Sequence, residues 1–394
     1  MKKGPSSNPV LARKVAIIGI HEASDAYPNV KYRILALLKA KEISAQEFRY
    51  TLRWRPYSNR NRRRQVPRML SFFGFMLNAI WTHFRAIFAC ILHARKAYLY
   101  VPYPAPSVLF GLSFFPRFLR PRRIITDAFI SLYDTVVVDR KLLSRNNILS
   151  RILWRIERRA YLLADVVVTD TAMNSRHLGK LFRLPEEKLV ALPLAIGEQL
   201  FAYSPYQPLQ GRCTVLFIGT FVPLQGTDVI ARTVLLLCGQ PNIHFRIIGN
   251  GQTAEMTAKL LDQVGSSHFE WVRNWQEAEV LAAEIRAADI CLGIFGTTDK
   301  TQRVWPFKNY LYMASGRALI TGDTECAREL TRQADAAPFV MVPTGSPEAL
   351  ANAILRLASD AGLRLDCAKR SRNFYEQHLA NTISTSALVE ELLR

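Results

Sequence analysis

Phe217-Ile218-Gly219-Thr220-Phe221-Val222-Pro223-Leu224-Gln225-Gly226 is the stretch that decides the fold. It reads as a strand that ends in a glycine turn and leads into a helix. A second stretch of the same kind follows at Phe245-Arg246-Ile247-Ile248-Gly249-Asn250-Gly251. Glycines at a strand end let the backbone approach a ligand, and the helix N-terminus behind them favours an anion. Neither stretch is a P-loop or a full GxGxxG fingerprint.

Outward from these turns, short apolar runs rich in β-branched residues alternate with helical patterns along the whole chain. Such alternation predicts βαβ units and parallel sheets. Strands are expected at 14–20, 43–50, 97–101, 123–127, 164–169 and 189–194, and again at 213–219, 244–249, 269–273, 290–295, 318–322 and 339–342. The polar stretch 197–212 contains Ser204-Pro205-Tyr206-Gln207-Pro208 and Gln210-Gly211, which is linker chemistry. The expected fold is therefore α/β, with two doubly wound Rossmann-like domains, 1–200 and 201–394, facing a cleft. Ligands in such sheets bind beyond the carboxyl ends of the strands.

The chain has 394 residues, of which 49% are hydrophobic. That excludes disorder as the main state, and the length exceeds one ordinary core. Met1-Lys2-Lys3 is basic, but the next apolar run, 15–20, is too short for a signal core. The six cysteines form no CxxC pair and no Cys/His cluster with zinc spacing. Buried free thiols in a reducing cytoplasm are the expectation.

The formal net charge is +20. Residues 1–200 hold 34 Lys+Arg against 13 Asp+Glu, whereas residues 201–394 hold 18 against 19. The whole excess thus lies in the first half, which calls for an anionic partner there. Arg53 to Arg68 forms a basic arm with Trp54 and Tyr57 interleaved, and Met69 to Ala94 is strongly apolar. Ser71, Gly74, Asn78, Thr82, Arg85, Ala89 and His93 lay one narrow less apolar stripe along that helix. Three readings compete for it. It is long enough for a transmembrane span, at the cost of Arg85 near its middle. It can be a helix of the domain core. It can lie partly in a membrane surface beside a basic arm that attracts anionic lipid. Nucleic acid is the rival partner for the arm, but no helix-turn-helix, zinc-finger or ribonucleoprotein motif is present, and no nucleic acid is expected.

Several motifs of the second half stand in a telling order. They are the turn 219–226, Gly249-Asn250-Gly251, and Ala288-Asp289-Ile290-Cys291-Leu292-Gly293 followed by Phe295-Gly296. Next comes Val304-Trp305-Pro306-Phe307-Lys308-Asn309-Tyr310, running on through Met313-Ala314-Ser315-Gly316 and Ile320-Thr321-Gly322-Asp323, with Glu329 beyond. Together they resemble the nucleotide-sugar-binding domain of B-type (GT-B) glycosyltransferases, the retaining family 4 in particular. The first half resembles the acceptor domain of the same enzymes more loosely, through Asp127-Ala128-Phe129-Ile130-Ser131-Leu132-Tyr133-Asp134-Thr135, Ala164-Asp165-Val166-Val167-Val168-Thr169-Asp170 and Lys188-Leu189-Val190.

The chain departs from that family at named positions. Thr220 and Gln225 stand where the family usually has an Arg and a Lys for the diphosphate. Arg303 and Leu311 stand where it usually has two glutamates eight residues apart. A replacement set for the donor diphosphate is Gly219 and Thr220 with Lys300, Arg303 and Lys308, the three cations lying beside a helix that starts at about Asn309. Their charge would stabilise the leaving nucleoside diphosphate without a metal; the plain alternative is a solvated basic loop. The family's base site suggests a nucleotide near Gly249, Gly251, Arg273 and Asn274, with Trp271 and Trp275 as packing or rim aromatics. For chemistry, Asp127 at a strand end, Asp134 seven residues on, and His21 after the first strand could orient or deprotonate an acceptor hydroxyl or contact the donor; capping and turn roles are the alternatives. No GxSxG elbow, HExxH helix or DxD-type metal motif is present in the expected place.

The resemblance implies a glycosyltransferase peripheral on the cytoplasmic face of the plasma membrane. It would move a sugar from a nucleoside diphosphate-sugar to a lipid-linked or polysaccharide acceptor in surface polysaccharide or lipopolysaccharide assembly. Retention of configuration, no metal and no further cofactor are implied with it. The rival is a glycosyltransferase-like chain that has lost catalysis and serves as a binding or scaffold protein.

Overall fold

The computed structural model describes residues 13–22, 27–52, 68–94, 97–207, 211–265, 268–332, 334 and 336–394. The basic arm lies outside them as far as Pro67. The first half runs β1 (Arg13–Ile20), α1 (Pro28–Lys39), β2 (Ile43–Tyr50), α2 (Arg68–Ala94), β3 (Tyr98–Val101) and α3 (Pro106–Leu112). It continues through β4 (Ile124–Asp127), a π-helical turn (Asp134–Asp139), α4 (Ile148–Leu163), β5 (Val166–Thr169), α5 (Ala172–Phe182) and β6 (Leu189–Ala191).

The second half runs β7 (Cys213–Ile218), α6 (Thr227–Leu236), β8 (Ile243–Ile248), α7 (Ala254–Leu261), β9 (Phe269–Val272), α8 (Ala278–Ala287) and β10 (Ile290–Leu292). There follow α9 (Asp299–Arg303), α10 (Phe307–Ala314), β11 (Ala318–Gly322), α11 (Glu325–Leu330) and β12 (Val340–Val342). Three helices close the chain: α12 (Pro347–Ser359), α13 (Ala361–Phe374) and α14 (Asn381–Leu393).

All expected strands form. The expected runs extend furthest past β6 and β10, at 192–194 and 293–295, where the chain leaves the sheet for the loops above it. The strands assemble into two parallel six-stranded sheets, in the orders β2-β1-β3-β4-β5-β6 and β12-β11-β10-β7-β8-β9. β4 and β5 are buried at every residue because helices cover both faces of the sheet. β2, at an edge, is instead buried only at Ile43 and sets partly buried residues among exposed Ser44, Gln46 and Arg49. Helices pack on either side: α2, α3, α4 and α5 share one apolar cluster with the first sheet, and α1 and α14 share the other. The last helix therefore returns to the first domain, where Leu388, Val389 and Leu392 pack among Val15 and Ile17. Asn381 ties that return to the linker by pairing both backbone groups of Ile196, at 2.9 and 2.7 Å.

Strand order reverses direction at β1/β3 in one sheet and at β7/β10 in the other. Those are the switch points at which open α/β sheets leave a crevice for ligands. His21 follows β1; Gly219 and Gly293 follow β7 and β10.

Candidate active site at the domain cleft

The second-sheet crevice is built by two glycine turns that touch. Gly249 has φ +138°, and a Cβ there would lie 1.9 Å from the carbonyl oxygen of Gly219. Gly226 has φ +66°, and a Cβ there would meet the backbone of Phe295 and Gly296 at 2.5 Å. Only glycine fits at either position, so the turn after β7, the turn after β8 and the loop after β10 can close on one another. Phe221 stacks on Trp271 with centroids 5.2 Å apart, and the Trp271 indole donates to the Gly249 carbonyl at 2.9 Å. The Arg273 guanidinium caps the other side of that ring, 4.0 Å from its centroid. Arg273, Asn274 and Trp275 are all exposed on this rim.

Lys308 enters the same crevice from the first turn of α10. Its side chain is buried, lies 3.7 Å over the Phe217 ring and donates to the Gln225 Oε1 at 2.7 Å. No carboxylate pairs with it among the described residues. Burial pushes this ammonium well below its ordinary range. Beside it, fully buried Asn309 has neither amide atom paired within the protein. Unmet buried polar atoms cost about 1–3 kcal/mol each, and sequence reading had no means to single out Asn309, because burial without a partner leaves no local signal.

Lys300 and Arg303 stand elsewhere. Arg303 donates to Asp134 Oδ1 at 2.7 Å, and His177 Nε2 shares that oxygen at 2.8 Å. Lys300 lies 3.5 Å from Asp134 and 3.4 Å from Asp139. Thr171, the cap of α5, donates to the Arg303 carbonyl at 2.9 Å, and Arg176 meets both oxygens of Glu329 at 2.8 and 2.7 Å. The expected trio of cations is thus divided: Lys308 lines the second-sheet crevice, while Lys300 and Arg303 bridge the two domains. Burial opposes charge on Asp134, but His177, Arg303 and Lys300 outweigh it and hold its carboxyl well below the usual range. Buried Glu157 of α4 fixes the loop before Asp134 by accepting from Ser131 Oγ at 2.6 Å and the Leu132 amide at 2.8 Å.

The remaining expected residues sit on the first sheet. Asp127 is fully buried; Arg33 donates to one oxygen at 2.6 Å and the Tyr100 hydroxyl to the other at 2.6 Å. Its carboxylate does not reach the cleft, contrary to expectation, because it neutralises an arginine held inside the domain. His21 is buried with Nε2 2.9 Å from Glu47, and burial lowers its pKa despite that carboxylate. Asp170, at the end of β5, was not anticipated. Burial pushes its carboxyl up to about 6, against the pull of an Asn174 hydrogen bond. Among the described residues, no three His, Cys, Asp or Glu side chains cluster as metal ligands.

α2 is apolar enough over Gly74–His93 to cross a membrane by length and composition. One face packs on the sheet through Thr82, Ala86, Ala89 and Cys90, and Arg85 lies over the Tyr50 ring at 5.4 Å. The opposite face exposes Leu77, Ile80, Trp81, Phe84, Phe88 and Leu92. Phe114 and Phe118 after α3, and Ile148, Leu149 and Ile152 at the start of α4, are exposed on the same side of the sheet. Arg151, Arg155 and Arg159 form an exposed row at i, i+4 and i+8 on α4.

Two parallel-sheet domains, each with its switch point opening on a shared cleft, define the GT-B architecture. Residues 212–360 match the model of the Glycosyl transferases group 1 family, and the two parallel sheets around them give the chain the GT-B fold. No curated protein matches it. Among solved structures it is similar to Anabaena HepE in complex with UDP, at 12% identity over 96% of this chain and 99% of that one, with a TM-score of 0.62. Sucrose-phosphate synthase from Thermosynechococcus elongatus gives 14% identity, 97% and 99% coverage and a TM-score of 0.66. The N-terminal domain of a Candida albicans trehalose-6-phosphate phosphatase gives 9%, 99% and 98%, and 0.70. At these identities the likeness is one of fold.

Proposed function

We propose that this chain transfers a sugar from a nucleoside diphosphate-sugar to a lipid-linked or polysaccharide acceptor in surface polysaccharide or lipopolysaccharide assembly. The observation that carries the donor half of this reading is Lys308: a buried ammonium with an amide and a ring around it and no carboxylate. A diphosphate at the Gly219 turn would supply the missing counter-charge. Sugar transfer then needs the departing diphosphate stabilised as negative charge builds on it, and Lys308 in a water-poor crevice does that without a metal. Asn309, and the glycine turns at Gly219 and Gly249, add polar groups on the same wall. HepE, of the same fold, is described in complex with UDP and with UDP-glucose.

The first domain supplies the acceptor side. Asp134 joins the bridge between domains, and Asp170 lies near it, with a carboxyl that burial pushes up to about 6, a proton affinity suited to general-base work. Reaction on the face of the departing diphosphate, with retention, needs no protein nucleophile. The exposed apolar face of α2 and the arginine row of α4 fit an anionic membrane on its cytoplasmic side: the hydrocarbon face enters the interface and the arginines meet lipid phosphates. Because the inner face of α2 is packed on the sheet, the helix lies in the plane of the membrane instead of crossing it.

A second reading, a binding protein that has lost transfer, rests on the apolar, buried Leu311 and on Arg303 being neutralised by Asp134. Melting in the presence of UDP, GDP, ADP, TDP and CMP tests the first reading. A ligand at 100 times its dissociation constant adds about 2.7 kcal/mol, and the nucleotide that stabilises fixes the donor for a transfer assay run with and without EDTA. No stabilisation across the panel overturns the donor site; binding without turnover establishes the second reading.

A further inference from the structure

We propose that the cavity between the Asp134 turn and α9 holds the phosphate of a phosphorylated lipid, with the hydrocarbon lying along the apolar rim beside it. This rests on the lipid-linked acceptor proposed above and names its chemical class. The cavity has a volume of about 350 Å³. Asp139, Lys141 and Arg145 line it from the first domain, and Asp299, Lys300 and Arg303 from the second. Four cations therefore face two carboxylates. Lys300 and Arg303 are fixed by Asp134 and Asp139. Lys141 and Arg145 are exposed and pair with no carboxylate among the described residues. Arg303 is only 6% exposed, yet its Nε has no protein partner. A phosphate group answers all three: it accepts several N–H bonds at once and brings the missing negative charge.

The segment that carries the two free cations also carries the rim. Leu142 is 65% exposed, Ile148 72% and Leu149 57%. Large apolar side chains so exposed on both flanks of Arg145 are not explained by an ion in water. They fit a ligand whose charged head enters the cavity while its chain lies outside. Ile152 and the Arg151–Arg155 row continue the same surface along α4, so the rim runs into the face assigned above to the membrane. A soluble sugar phosphate would satisfy the cations and leave the rim in water; an uncharged lipid would do the reverse.

The test is binding of farnesyl phosphate, below its micellar concentration, to the full chain by calorimetry, with farnesol and inorganic phosphate in parallel and no nucleotide present. Farnesyl phosphate should bind at least tenfold tighter than either. Lys141→Glu with Arg145→Glu should weaken it at least tenfold without lowering the melting temperature of the free protein. Leu142→Asp should bring its affinity down to that of inorganic phosphate. Unchanged affinity in the charge variant overturns the site. Farnesol binding as tightly as farnesyl phosphate removes the phosphate from the proposal, and inorganic phosphate binding as tightly removes the lipid; either result overturns it. Full displacement by the nucleotide that stabilises the protein would assign the cavity to the donor and also overturn it. A failure here leaves transfer through Lys308 standing, whereas a blank nucleotide panel with farnesyl phosphate bound strikes only the transfer reading.

Discussion

Lys308→Met separates a ligand-binding cation from a structural one. The wild-type ammonium is buried over Phe217 with one acceptor, Gln225 at 2.7 Å. Methionine keeps the length and apolar stem and removes the charge. In the free protein two changes oppose each other. Removal of an ammonium that burial disfavours is stabilising. Loss of the Gln225 bond costs about 1 kcal/mol. The free variant should therefore melt at the wild-type temperature or a few degrees above it. With nucleotide bound, the variant lacks a charge-assisted bond worth about 1.5–3 kcal/mol, so affinity should fall roughly 10- to 150-fold. Differential scanning fluorimetry across a nucleotide titration reads both quantities in one experiment. A variant that melts well below wild type and binds nucleotide with unchanged affinity would refute the reasoning, because Lys308 would then be holding the fold and not a diphosphate.

Because the folded pKa of Lys308 is lowered, the unfolded chain binds more protons between that value and 10.5. Its contribution to stability therefore rises with pH across that window, and the rise should vanish in Lys308→Met, as followed by urea melts at several pH values. Nucleotide binding favours the charged form, so it should take up a proton and weaken as pH rises through the lowered pKa; calorimetry in buffers of different ionisation enthalpy measures this. Asp134→Asn leaves Arg303 buried without its carboxylate and should cost about 3–5 kcal/mol in melting experiments, while in wild type the Asp134 contribution is complete above its unfolded value of 3.8 and is lost only as pH falls below that. Arg151→Glu with Arg155→Glu should abolish flotation with vesicles containing anionic lipid, and wild-type flotation should weaken with salt; retention by neutral vesicles at high salt would contradict the membrane face. Gly249→Ala should destabilise severely, since its Cβ would lie 1.9 Å from the Gly219 carbonyl, and recovery of folded protein at wild-type levels would contradict that packing.

The central strands were legible because they are short apolar runs rich in β-branched residues and covered on both faces, a pattern that needs only local sequence to be recognised. β4 and β5 are buried end to end and stand where the runs placed them. The glycine turns after β7 and β8 were legible as well, and Gly226 and Gly249 touch backbone that no side chain could approach. What local sequence could not carry was partnership. Lys300, Arg303 and Lys308 lie close together in sequence and look equivalent, yet two of them pair with Asp134, more than 160 positions away, and one does not. The same blindness applied to Asp127, whose strand-end position suggested the cleft until Arg33 and Tyr100 closed on both its oxygens.

Partnership also gives the charge asymmetry its meaning. The second half is nearly neutral, and on the proposed reading its donor crevice relies on one cation placed where water is excluded, Lys308. Among the described residues of the first half, exposed cations stand in the row Arg151, Arg155 and Arg159 and at Lys141 and Arg145, where charge acts over a Debye length of about 8–10 Å, as the proposed anionic membrane surface requires. One buried charge that discriminates and many exposed charges that gather are different uses of the same residue types. Only burial tells them apart, and burial is what the fold adds to the sequence.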